Sequence, residues 1–191
     1  YVIAQCSGGE TTISSVLSTQ TAITGGICED AIEISSLPYN TVDSTSNYGD
    51  NYGGVAGTDC GSDSNYLNGD DVVYTYTAAS DGALAVSLSG LSDNYAGVFA
   101  YESCADIGVA CAGGAVNGFS SGDLEFILNV TANQEYKFVV STWALPQSTD
   151  YTLNIEELFC APVTDLSLDA VAITTADFSW SAAVGETGGY E

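Results

Sequence analysis

The sequence predicts an all-β protein. No stretch of its 191 residues repeats apolar positions at the spacing of a helix. Short runs of β-branched and aromatic residues alternate with clusters of Gly, Asn, Asp and Ser, a pattern typical of strands joined by turns. Asp81-Gly82 stands between two such runs and indicates a β-hairpin.

Seven strands are predicted in the middle of the chain. Within Val72–Thr77, Tyr74 and Tyr76 alternate with other side chains, so the two tyrosines share one face of the sheet. In Ala83–Leu88, the leucines and Val86 share a face in the same way. The predicted strands are Ala31–Ser36, Val72–Thr77, Ala83–Leu88, Gly97–Tyr101, Leu124–Val130, Glu135–Ser141 and Tyr151–Ile155.

The stretch Asn40–Asp70 is predicted to be one long loop, because it is polar and short of strand-like runs. A structureless loop of this length is unusual in a compact domain unless it is held in place or functional. Cys60 lies inside it, and we therefore expect a disulfide to hold the loop.

The charge is strongly negative: one Lys and no Arg or His stand against 25 Asp and Glu, giving a net charge of -24. Nucleic-acid binding is not expected, because phosphate recognition draws on Lys and Arg. An anionic membrane surface would repel the chain, and no apolar stretch is long enough for membrane insertion. Most of the acids lie in residues 28–160, where any bound divalent cation is expected.

Six cysteines without a Cys-x-x-Cys pair predict disulfides rather than zinc, and hence an extracellular protein. Without His, no Cys–His or Ser–His catalytic pair can form within this chain, and we expect no enzymatic activity. The chain starts inside a strand-like run without an initiator Met, which predicts a segment of a longer precursor.

Local spacing predicts a Cys104–Cys111 clip and a Cys28–Cys60 bridge that would tie the long loop to the first strand. Each closure is worth roughly 2–4 kcal/mol. A Cys6–Cys28 bridge is the competing option, since six cysteines allow 15 pairings.

The middle of the chain carries motifs in a recognisable order and spacing. They are Cys28-Glu-Asp-Ala31, Leu37-Pro38-Tyr39, Asn68–Thr77, Ser80-Asp-Gly82, Ala96–Tyr101, Cys104, Cys111, Tyr136–Val140 and Tyr151-Thr-Leu153. On these motifs, residues 28–159 resemble the bacterial pre-peptidase C-terminal domain family, in the version common in Bacteroidota surface proteins. The resemblance implies a jelly-roll-like antiparallel β-sandwich that is a non-catalytic appendage.

The two flanks resemble parts of fibronectin type III domains. Residues 160–191 resemble the opening strands, with Phe178 and Trp180 on the face that this family buries. Residues 1–27 resemble the closing strands. The resemblance implies that Cys6 and Cys160 are unpaired within one unit and form disulfides between successive repeats.

Four aspartates are the candidate calcium ligands: Asp50, Asp70, Asp71 and Asp93. Calcium binds carboxylate and carbonyl oxygens on adaptable loops, and Asp70-Asp71 and Asp93 could meet at one end of a sandwich. The alternative is that these residues only form turns, since Asp and Asn dominate turns. Calcium is the one cofactor predicted.

Tyr48, Tyr52, Tyr66 and Trp143 lie in polar loop sequence. They could stack on sugar rings or could bury the long loop; we expect burial for Tyr48, Tyr52 and Trp143, and leave Tyr66 open. Ser44, in Asp43-Ser44-Thr45, matches the O-glycosylation motif that the resemblance implies.

The resemblance implies a structural repeat of a large adhesin or extracellular fibre on the bacterial cell surface, exported by type IX secretion. Its partners would be neighbouring repeats of the same protein or other filament subunits. The alternative is an accessory substrate-binding module of a secreted hydrolase. Many copies of the 28–159 pattern in the precursor would support the fibre, and one copy beside a catalytic domain would support the module.

Overall fold

The computed structural model describes residues 23–62, 64–120, 122–158 and 164–181. Within these ranges the regular structure is almost entirely β, which confirms the predicted fold class. The strands are β1 Ile32–Glu33, β2 Tyr39–Ser44, β3 Val72–Thr77, β4 Gly82–Ser89, β5 Ala96–Tyr101, β6 Gly113–Val116, β7 Leu124–Val130, β8 Glu135–Thr142, β9 Asp150–Leu158, β10 Thr164–Val171 and β11 Ala176–Ser181. Short 3-10 turns occupy Cys28–Asp30, Thr45–Asn47 and Cys104–Asp106.

Each of the seven predicted strands has a counterpart, and the prediction missed two strands. β2 lies inside the polar stretch that was expected to be a loop. β6 begins with Gly113-Gly114, which is poor strand sequence. Both glycines are required by close packing, since a Cβ on Gly114 would lie 3.0 Å from the Phe99 ring and one on Gly113 would lie 2.9 Å from Phe126.

Strands β2 to β9 form an eight-stranded jelly roll. One sheet has the order β2-β9-β4-β7 and the other has β3-β8-β5-β6, so the first and last of these strands are neighbours. The chain changes sheet at each connection except the β5–β6 hairpin, which is jelly-roll topology. The hairpin predicted at Asp81-Gly82 is therefore wrong, because this turn carries the chain from β3 in one sheet to β4 in the other. β1 adds a two-residue edge next to β3, and this pairing is parallel rather than antiparallel.

The main core lies between the two sheets. As predicted, Tyr74 and Tyr76 point into it, and so do Leu84, Val86 and Leu88. The Tyr74 and Tyr151 hydroxyls hydrogen-bond each other across this core at 2.6 Å, which satisfies both buried groups.

A second core covers the outer face of the five-stranded sheet. Val73, Phe99, Tyr101 and Val139 point outward from β3, β5 and β8, and are nevertheless fully buried. The β2–β3 connection covers them with Ala56, Cys60, Tyr66 and Leu67. The long polar stretch is thus a packed cover, and every residue of β5 is buried.

Two disulfides lie at the second core, and one of them fixes the cover, but their pairing differs from the predicted one. The bonds are Cys28–Cys104 and Cys60–Cys111, not Cys28–Cys60 and Cys104–Cys111. Because Cys28 is bonded to Cys104, the competing Cys6–Cys28 bridge is wrong as well. The loop after β5 runs beside the cover, where Thr58 pairs with Ala110 in a parallel bridge. This register brings Cys60 to Cys111.

The cover and the loop after β5 approach closely at Gly57. Its φ is +121°, and a Cβ there would lie 2.5 Å from the Val109 carbonyl carbon. The predicted disulfide pairing was wrong because it relied on sequence separation between cysteines. Sequence separation does not reveal that the cover and the loop after β5 lie side by side.

The sandwich has two ends, which we call upper and lower. The upper end is where β3 and β5 begin and β8 ends; the lower end is where β9 ends, at Leu158. The chain reaches the sandwich near the upper end, where the Val73 amide donates to the Gly25 carbonyl at 2.8 Å. It leaves the sandwich at the lower end.

β10 and β11 form an antiparallel hairpin within residues 164–181. Ser167 and Ser179 pair across one face, where both hydroxyls hydrogen-bond, and Leu168 pairs with Phe178 on the other. The hairpin agrees in position with the predicted opening strands of a fibronectin-like domain, and that family assignment stays a prediction.

Candidate functional site: an aromatic cluster at the upper end

Three loops at the upper end bring aromatic side chains together. Tyr95 directly precedes β5, Trp143 directly follows β8, and Phe119 lies in the loop after β6. These strands are neighbours in one sheet and all have these termini at the upper end, so their loops meet there. Tyr66 reaches the same place from the cover.

The rings form a connected aromatic cluster, which we define as Tyr66, Tyr95, Phe119 and Trp143. Tyr95 and Trp143 stack with ring centroids 5.5 Å apart and planes 26° apart. Phe119 meets Tyr95 edge-on at 5.6 Å, and Tyr66 meets Trp143 edge-on at 6.1 Å. These are the favoured aromatic geometries.

Exposure differs sharply across the cluster. Tyr66 is buried, and its hydroxyl donates to the Asn117 carbonyl. Tyr95 is half-buried, Trp143 is 37% exposed, and Phe119 is 94% exposed. Leu145, two residues beyond Trp143, is also exposed. The cluster therefore has a rigid base and an aromatic surface open to solvent.

Tyr95 fixes the three loops to one another through its backbone. Its φ is +58°, a left-handed conformation that is unusual for a bulky residue and costs on the order of 1–3 kcal/mol. Its amide donates to the Gly118 carbonyl at 3.2 Å, and its own carbonyl accepts from the Trp143 amide at 3.1 Å. These bonds hold the strained residue in place and set the ring positions.

The surroundings of the cluster are acidic. Asp93 and Asp123 lie in the loops of Tyr95 and Phe119, and both are exposed. Asp70 is hydrogen-bonded to Gln147, in the loop of Trp143. The one basic side chain of the sequence, Lys137, is buried within β8 and forms an ion pair with Glu135 at 2.7 Å. No cation of this chain can therefore balance the charge at the upper end.

The other singled-out tyrosines hold the cover, as predicted. Tyr48 packs on the main core and donates its hydroxyl to Asp43. Tyr52 packs on the second core, and its hydroxyl oxygen accepts from the Cys28 amide at 2.8 Å. Trp143 also contacts the buried Tyr66, but more than a third of it stays exposed, so burial does not account for all of its surface.

A buried carboxylate anchors the start of the cover at the same end. Asp71, just before β3, is fully buried, and its Oδ2 accepts from the Asn51 and Tyr52 amides at 3.1 and 2.8 Å. Its Oδ1 has no hydrogen-bond partner among the residues that the structure describes. Burial raises the pKa of this carboxyl to about 6, although the hydrogen bonds from the two amides hold it down.

The four predicted calcium ligands are not gathered into one site. Asp50 lies close enough to Asp71 to raise its pKa through charge, Asp70 bonds to Gln147, and Asp93 accepts from the Ser92 hydroxyl at 3.2 Å. In the described ranges, no three Asp, Glu, His or Cys side chains are grouped to hold a metal ion. Calcium binding stays a prediction.

The remaining predicted sites are untested. Ser44 ends β2 and shares a hydrogen bond with the Ser46 hydroxyl at 2.9 Å, so its glycosylation stays a prediction. Cys6 and Cys160 lie outside the described residues. The two observed disulfides are typical of a secreted or extracytoplasmic protein. The described part of the chain contains no helix that is long and apolar enough to cross a membrane.

Comparisons with known proteins leave the family open. No protein-family model matches the chain, and no curated protein matches it. One similar solved structure is the periplasmic lysozyme inhibitor PliG of Aeromonas hydrophila, an inhibitor of g-type lysozyme, with 12% sequence identity and a TM-score of 0.44. The match covers 67% of this chain and 96% of that one. The resemblance of residues 28–159 to the pre-peptidase C-terminal family stays a prediction.

Proposed function

We propose that the sandwich is a non-enzymatic structural module of an exported bacterial surface adhesin or fibre. The observation that carries the proposal is the path of the chain, which reaches the sandwich near its upper end and leaves it at its lower end. Modules connected in this way line up end to end. β9 runs between the two ends, and its nine residues set a step of about 26 Å.

Composition and covalent structure suit such an exposed position. Trypsin-like proteases cleave after Lys or Arg, and the one such residue, Lys137, is buried and ion-paired in β8. The acidic surface keeps neighbouring modules soluble and apart. Type IX secretion and alternation with fibronectin-like units remain parts of the proposal that rest on the resemblance.

Single-molecule force spectroscopy of the full chain tests the module under tension. Cys28–Cys104 bypasses 76 residues, so only about 60 of the roughly 135 residues in the sandwich can extend. At 3.3–3.6 Å per residue, and after the folded length of about 26 Å is subtracted here and in the lengths below, the expected gain is about 18 nm. Without any disulfide the gain should be about 45 nm.

A Cys28→Ser/Cys104→Ser variant sharpens this test. Cys60–Cys111 then becomes the shortcut, and its separation of 51 residues predicts a gain of about 26 nm. The gain in length should increase from the parent chain to the Cys28→Ser/Cys104→Ser variant and again to a chain without disulfides. That order would support a module whose extension is limited by its disulfides. Extension without a discrete unfolding event would refute a tension-bearing role, because a structural module must resist before it yields.

The second candidate is an accessory binding module of a secreted hydrolase. The exposed aromatic cluster favours it, since rings of this kind bind polymers by stacking. Co-sedimentation with insoluble cellulose, chitin and peptidoglycan separates the candidates. Retention that is lost when Trp143 and Phe119 are replaced by Ala would support the binding module, and no retention would leave the structural module.

A further inference from the structure

We propose that the aromatic cluster binds an arginine-bearing segment of a partner protein. Two properties of the upper end carry this inference: exposed aromatic ring faces and an acidic surround without any basic side chain. Ring faces are negative and attract cations, and Arg, with its flat guanidinium, stacks on them best. The proposal goes beyond the structural role and does not depend on it.

The geometry provides a prepared receptor. The Tyr95–Trp143 stack is fixed from below by buried Tyr66 and through the backbone of Tyr95, so little ordering is needed when a ligand binds. Phe119 stands almost free and offers an open ring face next to this stack.

Charge selects the class of occupant. A cation approaching the upper end meets the exposed carboxylates of Asp93 and Asp123, which lie in the loops of Tyr95 and Phe119, within the field of a chain of net charge -24. An anionic glycan or phosphate group would be repelled. A neutral sugar could stack on the rings but would not be attracted by the acidic side chains. Exposed rings together with acidic surroundings therefore favour a cation.

The same composition excludes this chain as its own cationic partner. The sequence contains no Arg, and its single Lys is buried and paired with Glu135. A second copy could place only neutral or acidic side chains on the cluster. The guanidinium must therefore come from outside these 191 residues.

The test is an NMR titration of the full chain with acetyl-Gly-Arg-Gly-Arg-Gly-amide, and with the same peptide carrying neutral citrulline for arginine. We expect shifts at the Trp143 indole and at Tyr95 and Phe119, and at least tenfold weaker binding of the citrulline peptide. Trp143→Ala/Phe119→Ala should weaken binding of the arginine peptide about tenfold, because each exposed cation–π contact is worth roughly two- to fivefold.

The matched control is Val42→Ala/Ile127→Ala, which removes two exposed apolar side chains from the other sheet and leaves every charge in place. It should bind within twofold of the parent chain. If the double variant at the cluster misfolds, Phe119→Ala alone still tests the proposal, because an almost fully exposed ring contributes little to the core.

Three results would overturn the proposal. Equal binding by the cluster variant and the control would mean that only long-range charge attracts the peptide. Equal binding of the citrulline peptide would mean that the rings do not select a cation. Tighter binding of cellohexaose than of the arginine peptide, at the same rings, would assign the cluster to a neutral glycan.

Discussion

Replacing the buried carboxyl of Asp71 by the amide of Asn should make the protein more stable at neutral pH but not at pH 4. Burial raises the pKa of Asp71 from 3.8 to about 6, so the folded state prefers the protonated form. Well below pH 3.8 both states are protonated and no cost arises. Between pH 4 and 6 the unfolded state loses the proton first, and the folded state becomes progressively less favourable.

The size of the effect follows from the pKa difference. A pKa of about 6 in place of 3.8 corresponds to about 3 kcal/mol of stability lost by pH 7. Asp71→Asn keeps an oxygen for the Asn51 and Tyr52 amides and has no charge to bury, so it should escape this loss. The advantage of the variant over the parent chain should grow by roughly 2 kcal/mol from pH 4, where the unfolded carboxyl is already partly ionised, to pH 7.

Urea unfolding at pH 4, 5, 6 and 7, followed by circular dichroism, measures this advantage. The other acidic residues titrate in both the variant and the parent chain. The difference between their free energies of unfolding at each pH therefore reports on Asp71. Asp93→Asn is the charge-matched control, since it removes one exposed carboxylate from the same end. An advantage that is equal at pH 4 and pH 7, or no larger than that of the control, would refute the buried-charge explanation.

Three further outcomes are expected from the fold. Cys60→Ser/Cys111→Ser should lower the free energy of unfolding by about 4 kcal/mol in urea denaturation, because the bond closes a loop of 51 residues; a loss below 1 kcal/mol would contradict this. Gly57→Ala should lower the free energy of unfolding in urea by on the order of 1–3 kcal/mol, because φ is positive there and the new Cβ would clash with the Val109 carbonyl. Gly82→Ala should lower it by less than half as much, because the space around Gly82 is open. If calcium binds, EGTA should lower the melting temperature, and an unchanged melting curve would dispose of the calcium prediction.

The sequence predicted the parts of the fold that depend on local alternation. β3 and β4 place their largest apolar side chains at alternate positions, and the tyrosines of β3 and the leucines of β4 point inward as expected from period two. β6 was not predicted because glycine has low strand propensity. The reason for its two glycines is the close packing of the Phe99 and Phe126 rings, which belong to β5 and β7. Strand propensity cannot register a close approach between distant segments.

The candidate site was harder to predict, because the residues that form it are far apart in the chain. Trp143 and Tyr66 were singled out as loop aromatics, but Tyr95 and Phe119 were not. The missing signal was topological: in a jelly roll the start of β5 and the ends of β6 and β8 share one end. With that topology known, aromatic residues flanking those three termini could have been grouped from sequence.

The salt dependence of the upper end distinguishes its two possible uses. Copies of a chain with net charge -24 repel one another, so contact between copies through Trp143 and Phe119 is opposed at low salt and becomes easier as salt screens the charge. Binding of an arginine segment has the opposite dependence, because screening weakens its attraction to the acids. One titration of peptide affinity and oligomeric state from 20 to about 500 mM salt therefore separates them. An affinity that falls with salt while the protein stays monomeric supports the cation receptor, and self-association that grows with salt without peptide binding supports a contact between modules.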